Sequence, residues 1–236
     1  MDKRIHYILQ LDTETANSFS DETGKLDLSN SLVYDIGWQV VDKKGRVYES
    51  ASFVVRDIFF GEKLLMKSAY YAKKIPLYIE EIKEGKREVA SFYEIRKQMI
   101  DTMSKYNIKV VCAHNARFDL NALNTTQRWL TKSAHRYFFP YGTEIWDTLK
   151  MASDTIGKQK SYISWCERNG YMTAHKTPRP RLTAEILYRY ISGNNEFDEA
   201  HTGLEDVEIE RVILAQCFKQ HKRMRKNLFE KSSKKA

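Results

Sequence analysis

Three β-rich segments fill the first 55 residues, and behind them helical and extended patterns alternate, an order that few folds accommodate. Residues 5–12 (IHYILQLD), 32–41 (LVYDIGWQVV) and 46–55 (RVYESASFVV) are apolar runs rich in β-branched and aromatic residues. The last two are joined by Asp42-Lys43-Lys44-Gly45, a hairpin turn sequence. Together they predict an antiparallel meander. The polar stretch 17–30 lengthens the first connection and reads as a surface loop. Residues 61–85 carry helical spacing at Leu64, Leu65, Ala69 and Ala72, broken at Pro76, and a helix is expected around 89–105. A short buried strand (KVVCA, 109–113) precedes a helix that Asn115 is expected to cap. A fifth strand follows at 144–147, then helices at about 148–157, 159–169, 182–192 and 203–221. This order predicts an α/β domain with a mixed sheet.

The 236 residues suffice for one large hydrophobic core, so a single domain over 1–221 with a basic tail at 222–236 is expected. The net charge is +8, yet residues 219–236 hold eight Lys or Arg against one Glu, a net of +7. The body is close to neutral. Two readings stand for the tail: it tracks phosphates through counterion release, or it is a solvated terminus. Cys112, Cys166 and Cys217 are odd in number and lack C-x-x-C or Cys/His spacing, which argues against a disulfide framework and a zinc site. The N-terminus has no signal-type apolar region and no stretch approaches membrane-spanning length, so a soluble cytoplasmic protein is expected.

Asp12 and Glu14, in "LQLDTETA", lie two residues apart at the end of the first strand and so point to one face. Their repulsion calls for a cation; a turn or helix cap is the alternative reading of D-x-E alone. In "AHNARFDLNAL", Asp119 falls on the first turn of the helix after the fourth strand, near where a parallel first strand would end. A plain acid complementing the helix dipole is the alternative. In "EAHTGLEDVEIERVILAQC", Thr202 and Glu205 form a T-x-x-E capping-box pattern. Thr202 is then the N-cap, Asp206 the fourth helical residue, and His201 meets Asp206 across the helix entrance.

Jointly, Asp12, Glu14, Asp119 and Asp206 supply hard oxygen donors of the type that Mg²⁺ or Mn²⁺ prefers. Two such ions activate water and stabilise the oxygen leaving phosphorus. His201 has the pKa range of a general base near neutral pH.

With D-x-E in the first strand, H-N-x-x-F-D after the fourth and H-x-x-x-x-D opening a late helix, the chain resembles the DEDDh exonuclease family over about 12–215. That family includes the proofreading epsilon subunit of bacterial DNA polymerase III, ribonuclease T and oligoribonuclease. The resemblance implies a ribonuclease H-like, five-stranded mixed sheet flanked by helices, and two Mg²⁺ (or Mn²⁺) ions. It makes Asp12 the ligand shared by both ions, with Glu14 and Asp206 completing one site and Asp119 serving the second. His201 would be the general base, and Thr13 and Asn115 would contact the terminal nucleotide. "FFGEKLLMKSAYYAKKIP" and "PYGTEIWDTLKMA" are similar to exonucleases of phages and prophages of Gram-positive bacteria. This implies the 3′ end of single-stranded or frayed DNA as substrate, a bacterial host cytoplasm, and leaves a polymerase partner open. An RNA-directed enzyme of the same family and a catalytically silent nucleic-acid-binding module are the alternatives.

Asp147 is a further carboxylate, read chiefly as the cap of the next helix. Lys67, Lys73 and Lys74 interleave with Tyr70, Tyr71 and Tyr78, a composition that suits phosphates and bases or core packing equally. "HKTPRPRL" (175–182) is either a basic rim of the cleft, with Arg179 and Arg181 facing phosphate, or an ordinary solvated loop.

Overall fold

The structure, a computed structural model, describes residues 2, 4–19, 26–67, 69, 72–198 and 201–231, with 18, 19 and 26–30 described for backbone alone. β1 (Ile8–Phe19), β2 (Leu26–Val41) and β3 (Val47–Val55) form the antiparallel meander that the sequence predicts. Asp42 closes the second turn, its carboxylate accepting the N–H of Lys44 (2.8 Å) and of Arg46 (3.1 Å). The first connection is shorter than the expected 17–30 loop. β1 runs on to Phe19 and β2 starts at Leu26, paired across register shifts after Glu14 and Ala16, because facing backbones satisfy each other whatever the polarity of their side chains. Residues 20–25 lie outside the described residues.

Between β3 and the next helix the chain forms α1 (Arg56–Phe59), α2 (Lys63–Lys67), a 3-10 turn (Ala72–Lys74) and α3 (Ile75–Lys83). Pro76 sits in the first turn of α3 and opens that helix instead of breaking one. An N–H in the first turn has no helical acceptor, so its loss there is harmless. β4 (Glu88–Ala90) then pairs parallel to β3. The sheet therefore has six strands, in the order β4-β3-β2-β1-β5-β6, where the sequence predicts five. The reason lies in Ser91. Its hydroxyl accepts the N–H of Glu94 (3.2 Å) while the Glu94 carboxylate accepts the N–H of Ser91 (2.8 Å), a capping box that starts α4 (Phe92–Lys105) and leaves 88–90 extended.

β5 (Val110–Ala113) is parallel to β1, and β6 (Glu144–Asp147) to β5. The remaining helices are α5 (Arg117–Thr131), α6 (Thr148–Asp154), α7 (Lys160–Arg168), α8 (Ala184–Ser192) and α9 (Gly203–Lys219). Each sheet face carries its own core. Leu9, Leu11, Ile36 and Trp38 pack with Ile95, Met99 and Leu123 of α4 and α5. Ile8 and Cys112 pack with Met151, Leu187, Ile213 and Leu214 of α6, α8 and α9.

The segment set apart as a basic tail is described to 231, and this part is docked on the edge strand. Asp147 N–H donates to Lys226 O (2.9 Å) and Leu228 N–H to Ile145 O (2.8 Å). Leu228 is 2% exposed, and Arg225 binds Asp154 through Nε (2.7 Å). Among the described residues, no helix is long and apolar enough to cross a membrane.

Candidate active site

Strand alternation turns Gln10, Asp12 and Glu14 towards α9, while Leu9, Leu11 and Thr13 face the α4–α5 side. Asp12 lies opposite Gly37 of β2 in register. A Cβ on Gly37 would sit 2.3 Å from Leu204 N, and one on Gly203 would sit 2.6 Å from Gly37 N. Two facing glycines thus let the first turn of α9 rest directly on the sheet beside Asp12. Thr202 holds the N-cap position and Asp206 is the fourth helical residue, as the sequence predicts. The capping box itself is not formed: the Thr202 hydroxyl donates to the Glu205 carboxylate and accepts no helix N–H. His201, at φ +51°, precedes this turn. One ligand atom each of Glu14, His201 and Asp206 all lie within 4.8 Å of one another.

Asp119 arrives from the opposite layer. It is 4% exposed and accepts a hydrogen bond from Thr13 Oγ1 (2.8 Å). Asn115 does not cap α5, which begins two residues later at Arg117. It stands exposed in the left-handed region at φ +62°, a conformation that Asn tolerates well. Its N–H donates to Asp147 Oδ1 (3.1 Å), which also accepts Leu149 N–H (2.9 Å) as the cap of α6. Asp147 is therefore the cap read from the sequence, and it also holds the turn that carries Asn115. The neighbouring His114 uses both ring nitrogens, on Thr148 Oγ1 (2.9 Å) and Leu182 O (2.7 Å).

Two buried carboxylates escape the sequence reading. Glu210, one helical turn beyond Asp206 and 3% exposed, accepts from Gln10 Nε2 (2.7 Å) and from the His114 N–H (3.2 Å). One side chain thereby links β1, the β5–α5 turn and α9, the three elements that bear the motifs. The i, i+4 spacing from Asp206 was its only sequence signal. Asp35, beside Glu14 in register, accepts from Tyr78 Oη (2.5 Å) and from Gly203 N–H (3.2 Å), with Arg87 Nη1 at 3.3 Å. Tyr78 is accordingly a core residue; Tyr70 and Tyr71 lie outside the described residues. Lys74 Nζ lies 3.5 Å from His201 O.

Burial raises the Asp12 carboxyl well above the usual range, and the charges of Glu210, Asp119, Glu14 and Asp206 raise it further. Burial pushes Asp119 up to about 7. Burial and the Lys74 charge lower the His201 imidazole, which favours its neutral form. Such a cluster must hold protons or take up cations. Its donors, several carboxylates and one neutral imidazole, fit Mg²⁺ or Mn²⁺.

These groups line one cavity of about 880 Å³ together with Thr13 and Asn115. Its far wall is the 171–183 segment, a small hairpin closed by Thr173 N–H to Arg179 O (2.8 Å) and Arg181 N–H to Tyr171 O (2.9 Å). Of the two readings of "HKTPRPRL", the rim of the cleft is the observed one: His175, Arg179 and Arg181 border the cavity.

No family model matches the sequence, and no curated protein is similar to it in sequence. Solved structures are similar in fold. A 3′-exonuclease that recognises the 3′ end of a histone mRNA stem-loop superposes with a TM-score of 0.63 at 13% identity, over 96% of this chain and 87% of its own. The nuclease domain of 3′hExo, a DEDDh family member bound to rAMP, gives 0.58 at 12% identity, over 97% and 100%. Cell-death related nuclease 4 gives 0.53 at 11% identity, over 94% and 67%. The chain has the ribonuclease H-like fold of the DEDDh exonucleases.

Proposed function

We propose that the protein is a divalent-metal-dependent 3′–5′ exonuclease that releases nucleoside 5′-monophosphates from single-stranded DNA or frayed DNA ends. The observation that carries this reading is the convergence of Glu14, His201 and Asp206 within 4.8 Å, in a cavity that Asp12 and Asp119 also line. Asp12, Glu14, Asp119 and Asp206 would hold two Mg²⁺ or Mn²⁺ ions. When bound, these supply charge neutralisation at phosphorus and a lowered pKa for water.

The remaining steps belong to the chain's own groups. Neutral His201 accepts a proton from the attacking water, whose oxygen bonds to the terminal phosphorus as the bond to the 3′ oxygen of the preceding nucleotide breaks. That 3′ oxygen takes its proton from solvent. Thr13 holds Asp119 in its rotamer, and Asp147 fixes the turn that presents Asn115 to the terminal nucleotide. Arg179 and Arg181 offer charge-assisted hydrogen bonds to phosphate at the cavity rim.

The choice of DNA rests on the phage-like segments and is tested together with the activity. 5′-Labelled single-stranded DNA and RNA of one sequence are followed on a gel in Mg²⁺, Mn²⁺ and EDTA, with Asp12→Ala in parallel. The expected result is a ladder shrinking from the 3′ end of DNA, absent in EDTA and in the variant. A ladder on RNA alone moves the assignment to an exoribonuclease, and cleavage of neither strand refutes the proposal.

A further inference from the structure

Residues 120–143, immediately after the first turn of α5, contain no Asp or Glu at all while carrying Arg128, Lys132, Arg136 and five aromatic residues. In a chain that is 30% charged, so long an acid-free stretch leaves its basic side chains without an acid of its own, although Glu62 reaches Trp129 Nε1 (3.0 Å) from another element. The structure folds it into one face. Arg117, on the first turn of α5, and Arg128, three turns on, border a groove of about 400 Å³ whose other walls are Tyr137 of the following loop and Phe229 of the docked C-terminal segment. Tyr137 is 60% exposed and Phe229 63%.

These aromatics are exposed yet fixed. The Arg128 guanidinium stacks on the Tyr137 ring at 4.9 Å. The loop backbone is held by Phe138 N–H to Asn124 Oδ1 (2.9 Å) and by Arg96 Nε to Phe138 O (2.6 Å). Phe229 is anchored next to buried Leu228, with its N–H on Asn227 Oδ1 (2.9 Å). Glu144, the acid that ends the stretch, is engaged by Trp146 Nε1 (2.7 Å). Rings held open to solvent beside guanidinium groups form the stacking-and-charge arrangement that binds single strands without sequence preference.

We propose that this face is the track for the upstream part of a single-stranded nucleic acid, with phosphates on Arg117 and Arg128 and bases stacked on Tyr137 and Phe229. The proposal rests on the exonuclease reading for its orientation: Asn115 and Phe118 line the cavity while Arg117, between them in sequence, lines the groove, so the N-terminal end of α5 separates the two. The track extends about 16 Å along α5 from Arg117 to Arg128, a span that a dinucleotide in the cavity does not cover.

Binding in EDTA tests the track separately from catalysis. Fluorescence anisotropy is read with a labelled dinucleotide and with an oligothymidylate long enough to span α5. Wild type is expected to prefer the long strand, and Tyr137→Ala and Phe229→Ala are each expected to weaken its binding about tenfold. Tyr137→Phe retains the affinity, and Arg128→Ala lowers the salt slope by about 0.7. Melting temperatures of the variants identify any loss that comes from unfolding. Equal affinity of wild type for the two ligands, or unchanged long-strand binding in both folded alanine variants, overturns the track. An absence of hydrolysis alongside length-dependent binding overturns the exonuclease reading alone.

Discussion

Asp119→Asn alters how the stability of the metal-free protein depends on pH. Burial raises the Asp119 carboxyl from 3.8 to about 7, a shift of about three units, equivalent to ~4 kcal/mol. Because the folded pKa lies above the unfolded one, the folded state binds the extra proton between about pH 4 and pH 7. Stability is therefore full below that window and is lost as pH rises through it. For a chain of this size the effect corresponds to roughly 8–16 °C in melting temperature. His114 and His201 act oppositely, since burial lowers both and the unfolded chain then holds more protons near pH 6.5. The assay is therefore a difference: melting curves of wild type and Asp119→Asn at closely spaced pH values in EDTA. Asparagine keeps an oxygen for the Thr13 hydroxyl, and the histidines, present in both proteins, cancel; loss of the Asp119 charge also relieves Asp12, which acts in the same direction. The wild-type value should fall relative to the variant as pH rises from 4 to 7, and saturating Mg²⁺ or Mn²⁺ should flatten the difference by binding the ionised form. Parallel curves for the two proteins across this window would refute the reasoning.

Gly37→Ala puts a methyl group 2.3 Å from Leu204 N, so α9 must move away from Asp12; unfolding stability should fall by about 1–3 kcal/mol and the proposed nuclease activity should fall more steeply than stability explains, as kinetics on the folded variant would read. Leu228→Ala empties a site that is 2% exposed and should cost about 2–5 kcal/mol in urea unfolding, whereas a solvated tail would give almost nothing. The Asp154 carboxyl is held well below its usual range by hydrogen bonds from Arg225 that outweigh its burial. Its contribution is present above about pH 4 and disappears as pH falls, so Arg225→Ala should lower the melting temperature at neutral pH and converge on wild type in acid.

The motif residues were readable because each rests on a local rule. Asp12 and Glu14 share a face by strand alternation, and Asp206 follows from the helix start at Thr202. The meander and the succession of elements along the chain were readable for the same reason, since apolar runs and turn residues mark themselves. β4 was not, because three residues beside an exposed cap carry too little pattern to stand apart from the helix they precede. Asn115 looked like a cap because its type fits one, but Asp147 takes its N–H and the helix starts later. Glu210 and Asp35 were hidden for another reason. Their partners Gln10 and Gly203 lie 200 and 168 residues away, and nothing in a linear window reports such contacts. Gly37 was equally silent, since its lack of a side chain matters only once α9 is beside it.

The two separate cores give the site a property of its own. Asp119 is carried by a helix of one layer, Asp206 by the last helix of the other with His201 just ahead of its cap, and Asp12 and Glu14 by the strand between them. Loosening either layer alone removes part of the set while the other layer stays packed. The proposed chemistry thus depends on a coincidence, since it requires both halves to be seated at once. On the proposed activity, a chain with only one of them seated lacks part of the set that the reaction requires.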